Sequence, residues 1–503
     1  MRLSRRQSSR LPLRIPQISR ASGLPSQDPN VFTNDLRKTL EAHRLSNRAS
    51  LIRKVYPRNP AAGLFRPYIP PENRAGYQAP EQPAPTRGES ESSKPTGRKR
   101  SRRPSPNIGL FVGDNQFIHN PIQKAGVLPA QQPWLSFRTS FEATSEATAY
   151  LGTEVQALNR YLSPTAVEQT QIRLLVANVA SLLERVVPQP PQLIGSRRTG
   201  LALAHSNVNL LLPYKDPSRP LGSTRGPSAT RPQIQEIHKD LNYKVKSCLQ
   251  NSPIFDDQVD VVGKRKLMVQ ARHRPTGLLL QFECGETVPL ITEYMQDYLV
   301  EYPTLRPLYV GMRTLLEACN IFGRMRASIG SDALTLLIVA FLKINHGRYL
   351  GPERLGEQFL DLLRFYSTDV DLQSVGVAVD PPGIFEEKSL RFPTEFDEPA
   401  YLRGRRALIK AKRTVAMGND LHVEQRLCIQ DPTNYGRNIG SGCRRTSELR
   451  DCFASAYDSL VLACNNWQGS YQDNSLLSDA IQANFDELEN FRRRIISPST
   501  NSN

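Results

Sequence analysis

Asn207 and Asn209 stand one residue apart in "HSNVNLLLP", so on an extended strand both side chains fall on one face. In that pattern carboxylates would do metal chemistry, because hard divalent cations are held by charged oxygen. Here both groups are amides, which offer a carbonyl oxygen but no net charge. Upstream, Gly195 and Ser196 form a turn that leads through Arg197 and Arg198 into a Thr-Gly pair. A glycine turn opening a helix presents backbone N–H groups that suit a phosphate. The same glycine also serves simply to let the chain turn. The two arginines offer charge to a nucleic-acid phosphate, although loop arginines are equally at home in solvent.

The elements that must hold these residues are legible around them. "SPTAVEQTQIRLLVANVASLLERVV" predicts a helix: Thr165 and Glu168 have capping-box spacing behind Pro164. Ile172, Leu175, Val176, Val179, Leu182, Leu183 and Val186 recur at three and four residues and form one apolar face. After the asparagine strand, "DPSRPLGSTRGPSATRPQ" is too polar and proline-rich for regular structure. "IQEIHKDLNYKVKSCLQ" reads as a helix, and "KLMVQARH" and "TGLLLQFEC" as two strands about a turn at Arg274-Pro275. From Tyr298 onward helical patterns dominate, notably in "LRPLYVGMRTLLEACNIF", "SDALTLLIVAFLKINH" and "LGEQFLDLLRFYST". Order is expected to begin near Trp134, and there is no internal repeat.

Composition narrows the partners. Of the 65 lysines and arginines 22 fall in residues 1–107, against only 7 of the 48 acidic residues, so the net charge of +17 is concentrated there. Long-range attraction for nucleic acid would come from that arm. The seven cysteines begin only at Cys248 and include no Cys-x-x-Cys pair, which argues against a disulfide scaffold or a zinc site. No apolar run reaches the roughly 20 residues of a membrane span. Residues 1–27 hold six arginines, six serines and no acid, the composition of a mitochondrial transit peptide and also of a disordered basic terminus. "GRKRSRRP", Gly97 to Pro104, is a rival nuclear address. Of the two, the mitochondrial matrix is the expected location.

Several stretches, in order, resemble the poly(A) polymerase and terminal uridylyltransferase family with a PAP-associated domain, which includes the mitochondrial poly(A) polymerases. "EVQALNRYLSPTAVEQ" resembles its lead-in helices, and "GSRRTGLALAHSNVNLLLP" its Gly-Ser, Thr-Gly-Leu and Asp-x-Asp motif. "YPTLRPLYVGMRTLLEACNIF" and "IGSDALTLLIVAFLKIN" resemble the helices with its "RPL" and "SSYAL" signatures. "LCIQDPTNYGRNIGSGCRRTSELRDCFASAYDSL" resembles its late nucleotide-recognition segment. The resemblance implies an α+β fold: a nucleotidyltransferase (polymerase-β-like) palm with a mostly helical PAP-associated domain. The expected division is a transit peptide at 1–27, a largely disordered arm at 28–130 and a helical lead-in at 131–187 packing on the C-terminal domain. The palm follows at 188–290 and the helical domain at 291–495.

The family reaction adds a nucleotide to an RNA 3′ end with two divalent cations held by three aspartates. On this chain the resemblance places those positions at Asn207, Asn209 and Gln281, all amides. Each lost charge interaction is worth several kcal/mol in a partly dry pocket, and roughly every 1.4 kcal/mol is tenfold in rate. The expectation is a catalytically inactive, RNA-binding or complex-organising protein with no cofactor. It would act in RNA 3′-end metabolism, with a mitochondrial ribosome or RNA-processing complex as partner. The alternative is an active adenylyl- or uridylyltransferase, using magnesium or manganese on a displaced ligand set such as Glu283 and Asp216. Glu283 lies on the face of Gln281, about 6.6 Å further along the strand.

By the same resemblance Gly195 and Ser196 hold nucleotide phosphates, and Arg197 and Arg198 are candidates for RNA contact. Arg313 takes the place of a phosphate-binding lysine, or is a helix-surface cation without such a role. In Gly330-Ser331-Asp332 the carboxylate replaces a tyrosine on which the incoming base stacks, an interaction worth roughly 1–3 kcal/mol. Asp431, Asn434, Gly440 and Gly442 match the late segment, where they either shape the loop or contact a base.

Overall fold

The computed structural model describes residues 120–126, 130–138, 146–215, 232–263, 266–323, 327–349, 354–386, 388–390, 399–416, 426–469 and 475–498. The expectations for residues 1–27, for most of the 28–130 arm and for Asp216 with its linker lie outside the described residues. A short strand, β1 (Gln123–Lys124), pairs antiparallel with residues 483–484. It lies upstream of Trp134, where the sequence places the onset of order.

Pro164 and Thr165 decide how the chain enters the fold. Helix α1 (Ala147–Leu162) stops at Ser163. Helix α2 (Ala166–Leu183) starts behind a complete capping box, with Glu168 N donating to Thr165 Oγ1 at 3.2 Å and Thr165 N to Glu168 Oε2 at 2.6 Å. The break lets the two helices serve different cores. Tyr150, Leu151, Val155, Leu158 and Leu162 of α1 join the helical body. Ile172, Leu175, Val179 and Leu183 of α2 join the sheet instead. The 131–187 lead-in therefore does not pack as one unit on the C-terminal domain.

The sheet comprises β2 (Gln192–Ile194), β3 (Val208–Pro213), β4 (Phe255–Val262), β5 (Met268–His273) and β6 (Leu279–Gly285). A single helical turn, α3 (Ser196–Thr199), follows β2, and α4 (Pro232–Gln250) precedes β4. The strand order is β2-β3-β6-β5-β4, antiparallel except for the parallel β3–β6 pair. Val208, Leu210 and Leu212 of β3 and Leu280, Phe282 and Cys284 of β6 face a core closed by α2 and α4. Each large apolar side chain so buried contributes about 1.5–3 kcal/mol. That burial fixes the opposite orientation for the alternate residues, Asn209 and Leu211 on β3, and Gln281 and Glu283 on β6. Strand β4 is not apparent from the sequence, because Asp256, Asp257 and Asp260 interrupt its apolar alternation at the sheet edge.

The second body holds α5 (Ile291–Glu301), α6 (Leu305–Ala318), α7 (Ser331–Ile344) and α8 (Leu355–Arg364). Then come β7 (Gly376–Val379), β8 (Pro382–Phe385), α9 (Ala400–Ala416), β9 (Gln430–Asp431) and β10 (Asn434–Asn438). It ends with α10 (Thr446–Asn466), α11 (Leu476–Ile481), β11 (Ala483–Asn484) and α12 (Asp486–Ile496). Helix α8 meets α1 so closely that a Cβ on Gly356 would run into the Thr148 carbonyl oxygen. Gly356→Ala is expected to cost roughly 1–3 kcal/mol, read as a lower urea midpoint with an unchanged slope.

The last helix crosses back to the sheet. Phe491 and Ile495 of α12 lie in the sheet core, although the helix falls inside the expected 291–495 helical domain. Arg492 fixes it there, donating from Nε to Glu168 Oε1 at 2.8 Å and from Nη2 to Glu168 Oε2 at 3.1 Å. A second buried acid, Glu154 of α1, accepts the Leu477 N–H at 2.9 Å at the start of α11. Burial raises its carboxyl to about 7, against the lowering by that hydrogen bond. A raised folded value means that its contribution is fully present below the ordinary 4.5 and is lost as pH rises through about 7. Glu154→Gln is therefore expected to gain on wild type between pH 6 and 8, by on the order of 1–3 kcal/mol in urea unfolding at the two pH values.

Candidate functional site

The register of the sheet assembles the amides. Asn209 lies directly opposite Gln281 across the parallel β3–β6 pair, and Gln281 opposite Gln270 of β5. Ile194 of β2 and Asp260 of β4 complete the row. Two of the three positions implied by the resemblance thus become nearest cross-strand neighbours, on the face away from the apolar core. Asn207, at the mouth of β3, is exposed. Asn209 Oδ1 and Gln270 Oε1 are buried without a donor among the described residues. Gln270, only 1% exposed, was not singled out in the sequence; its place in the row comes from the β5–β6 pairing.

Gly195 is required by this row as well as by its own backbone. Its φ is +67°, and a Cβ there would lie 2.8 Å from Asn209 Nδ2. Only glycine meets both conditions. Backbone closes most of the turn it caps: Gly195 O accepts from Arg198 N and Thr199 N, each at 3.0 Å, and Ser196 O accepts from the N–H groups of Gly200, Leu201 and Ala202 and from Thr199 Oγ1 at 3.2 Å.

Arg197 and Arg313 do not stand free on the surface, which was one of the two readings open for each. Arg197 folds back over the loop that leads into Asn207. Its Nε donates to Ser206 O at 3.0 Å and Asn207 O at 3.2 Å, and its Nη2 to Ala204 O at 3.2 Å and also to Ser206 O. Burial, and after it the nearby Arg313 guanidinium, lower its pKa to about 9, so it still carries its charge at neutral pH. Arg313 is 5% exposed on α6 and pairs with Glu317 one turn on, Nε to Oε1 at 2.8 Å. Its Nη1 donates to Ser206 Oγ at 2.9 Å and Tyr309 OH at 3.3 Å. Glu317 also meets His205 Nε2 at 3.0 Å. Burial would raise the Glu317 carboxyl, but Arg313 and His205 outweigh it and hold the group at about 2. Arg313 is thus not a helix-surface cation, because an acid four residues on the same helix lets it be buried. His205, Tyr309 and Glu317 were not anticipated; the Arg313/Glu317 spacing was the available signal.

The other candidates scatter. Arg198 is exposed beside the turn. Ser331 Oγ and Tyr309 OH share a hydrogen bond of 2.8 Å, which joins the first turn of α7 to the Arg313 network. Asp332 follows in that turn, where the helix dipole favours a carboxylate. Asp431 is fully buried, with Oδ1 accepting from Thr433 N at 2.8 Å and Thr433 Oγ1 at 2.7 Å. It builds the β9–β10 turn. Asn434 is exposed and accepts from Gly436 N at 3.3 Å.

A pair of magnesium or manganese ions does not fit this donor set. Asn207, Asn209 and Gln281 supply neutral oxygen at most, and a guanidinium lies on the Asn207 backbone. Glu283 faces Leu211 rather than Asn209 and is paired with Lys266 at 2.8 Å. Among the described residues no group of three or more His, Cys, Asp or Glu is placed to hold a metal ion.

A five-stranded mixed sheet with helices closing the core on one face and the candidate row on the other, joined to a helical body, is the polymerase-β-like nucleotidyltransferase fold. The solved polymerase core of TRAMP, an RNA surveillance complex, matches it with a TM-score of 0.53 at 18% identity, over 70% of this chain and 99% of that one. In sequence the chain is 21% identical over 346 residues to Poly(A) RNA polymerase protein 1 of Eremothecium gossypii, covering 67% of this chain and 48% of that protein. It is 22% identical over 339 residues to Poly(A) RNA polymerase cid14 of Schizosaccharomyces pombe, covering 65% and 42%. The chain is similar in sequence to these poly(A) RNA polymerases and shares the fold of the TRAMP polymerase core. It spans less than half the length of the two curated relatives. No protein-family model matches it.

Proposed function

We propose that the chain is a catalytically inactive member of this group that binds RNA or organises an RNA-processing complex in mitochondria. The observation that carries the reading is the strand-paired Asn209–Gln281 amide row, with the Arg197 charge held against the Asn207 backbone. A neutral donor set beside a built-in cation is the reverse of what two divalent ions and a triphosphate require. Asp332 in place of a stacking ring acts in the same direction. RNA is the partner class because the curated relatives are named as RNA polymerases and because 22 basic residues precede position 108. The mitochondrial address rests on the composition of residues 1–27.

The test is gel shift and primer extension on one preparation of the full chain. A labelled RNA oligonucleotide is expected to be retarded in the presence of EDTA, with affinity falling as salt rises. It is expected not to lengthen with any of the four nucleotides in magnesium or manganese. Extension that Asn207→Ala abolishes overturns the inactive reading; absence of retardation at low salt overturns the RNA-binding one.

A further inference from the structure

The α6–α10 contact carries a feature unrelated to the palm. Cys319, the residue that caps α6, is exposed, and its Sγ lies 3.0 Å from Cys452 Sγ on α10. That is about 1 Å beyond a covalent sulfur–sulfur bond of roughly 2.05 Å. The two thiols are 133 residues apart in the chain, brought together by packing alone.

The other five thiols are all pushed above the ordinary range. Burial raises the thiols of Cys248 and Cys284, the latter to about 12. Cys428, Cys443 and Cys464 are raised to about 11, again by burial first. Cys319 moves the other way: the hydrogen bond from Cys452 and the nearby Lys124 ammonium outweigh burial and lower it to about 7. An exposed, thiolate-rich cysteine next to a second thiol has the arrangement of an attacking and a resolving pair.

We propose that Cys319 and Cys452 are a site of reversible disulfide formation with low-molecular-weight disulfides, which staples the end of α6 to α10. Cys319 thiolate attacks one sulfur of oxidised glutathione, forming a mixed disulfide and releasing one glutathione thiolate. Cys452 then gives its proton to the glutathione thiolate released in the first step, and its sulfur attacks the Cys319 sulfur, releasing the second glutathione as thiolate. Two protein thiols are oxidised and one glutathione disulfide is reduced to two thiols, so electrons and atoms balance. The staple falls beside the segment that joins α6 to α7. Arg445, immediately before α10, already donates to Asn320 O at 2.7 Å and to Ser328 Oγ at 3.3 Å there. Because Arg313 and Glu317 lie in the last two turns of α6, the oxidised form fixes the same end of the helix that meets the palm loop through Ser206 and His205.

The experiment incubates the full chain with oxidised glutathione, quenches with acid, denatures and alkylates. Free thiols are expected to fall from the seven of the sequence to five, with one Cys319–Cys452 linked peptide in the digest and full reversal by dithiothreitol. In Cys452→Ser the glutathione adduct is expected to persist on Cys319, because nothing resolves it. The oxidised chain is expected to unfold at higher urea than the reduced chain. Retention of seven thiols, a link between other cysteines, or a lasting glutathione adduct on Cys319 with Cys452 present overturns the proposal. Equal urea midpoints for the two forms overturn the stapling.

Discussion

Arg313→Met is expected to destabilise the protein by about 3–5 kcal/mol, the usual result of stranding one member of a buried ion pair. Arg313 and Glu317 are 5% and 6% exposed, so neither charge has water to fall back on. Without the guanidinium, the Glu317 carboxylate keeps only His205 as a partner among the described residues, and Ser206 Oγ and Tyr309 OH each lose a donor. The double substitution Arg313→Met with Glu317→Leu is expected to recover much of the loss, because it strands no charge. Urea unfolding of the three chains measures this; a single variant within 1 kcal/mol of wild type would contradict it. The acid limb supplies a second reading. A carboxyl depressed from its ordinary 4.5 to about 2 contributes stability above 4.5 that is lost as pH falls towards 2. Arg313→Met should remove that dependence.

Restoring carboxylates should change metal affinity far more than it changes catalysis. Asn207→Asp, Asn209→Asp and Gln281→Asp together place three acids where cross-strand pairing brings Asn209 and Gln281 side by side. Their mutual repulsion is expected to destabilise the metal-free triple variant, and manganese is expected to reverse the loss. A ligand present at 100 times its dissociation constant stabilises by about 2.7 kcal/mol, which a thermal or urea midpoint reads easily. Primer extension is not expected to return while Asp332 stands in place of a stacking ring and Arg197 holds its charge against Asn207 O. Robust extension by the triple variant would show that the base platform and Arg197 are no barrier.

Much of this was legible because it is local or periodic. The capping box at Thr165 and Glu168, the apolar alternation of β3 and β6 and the turn at Gly195 each depend on neighbours a few residues away. The motifs in their order pointed to the fold, and the sheet topology agrees with it. What was not legible depends on distant partners. Strand β4 looks too acidic until Phe255 and Val259 meet the core. The β7–β8 and β9–β10 hairpins are too short for any periodicity to announce them within a helical stretch. Helix α2 has an apolar face in the sequence, but nothing local says which core receives it. Arg313 reads as a surface cation because its burial depends on Ser206 and His205, over a hundred residues away, as well as on Glu317. Arg197 is recognised as an internal charge only once the 204–207 carbonyls converge on it.

The most direct measurement is titration of the purified wild-type chain with manganese, followed by the electron paramagnetic resonance signal of the free ion. If the palm row is a neutralised metal site, the free signal rises in proportion to the manganese added, and Asn209→Ala gives the same line. Saturable binding of manganese at micromolar concentration, lost in Asn209→Ala, would contradict the account.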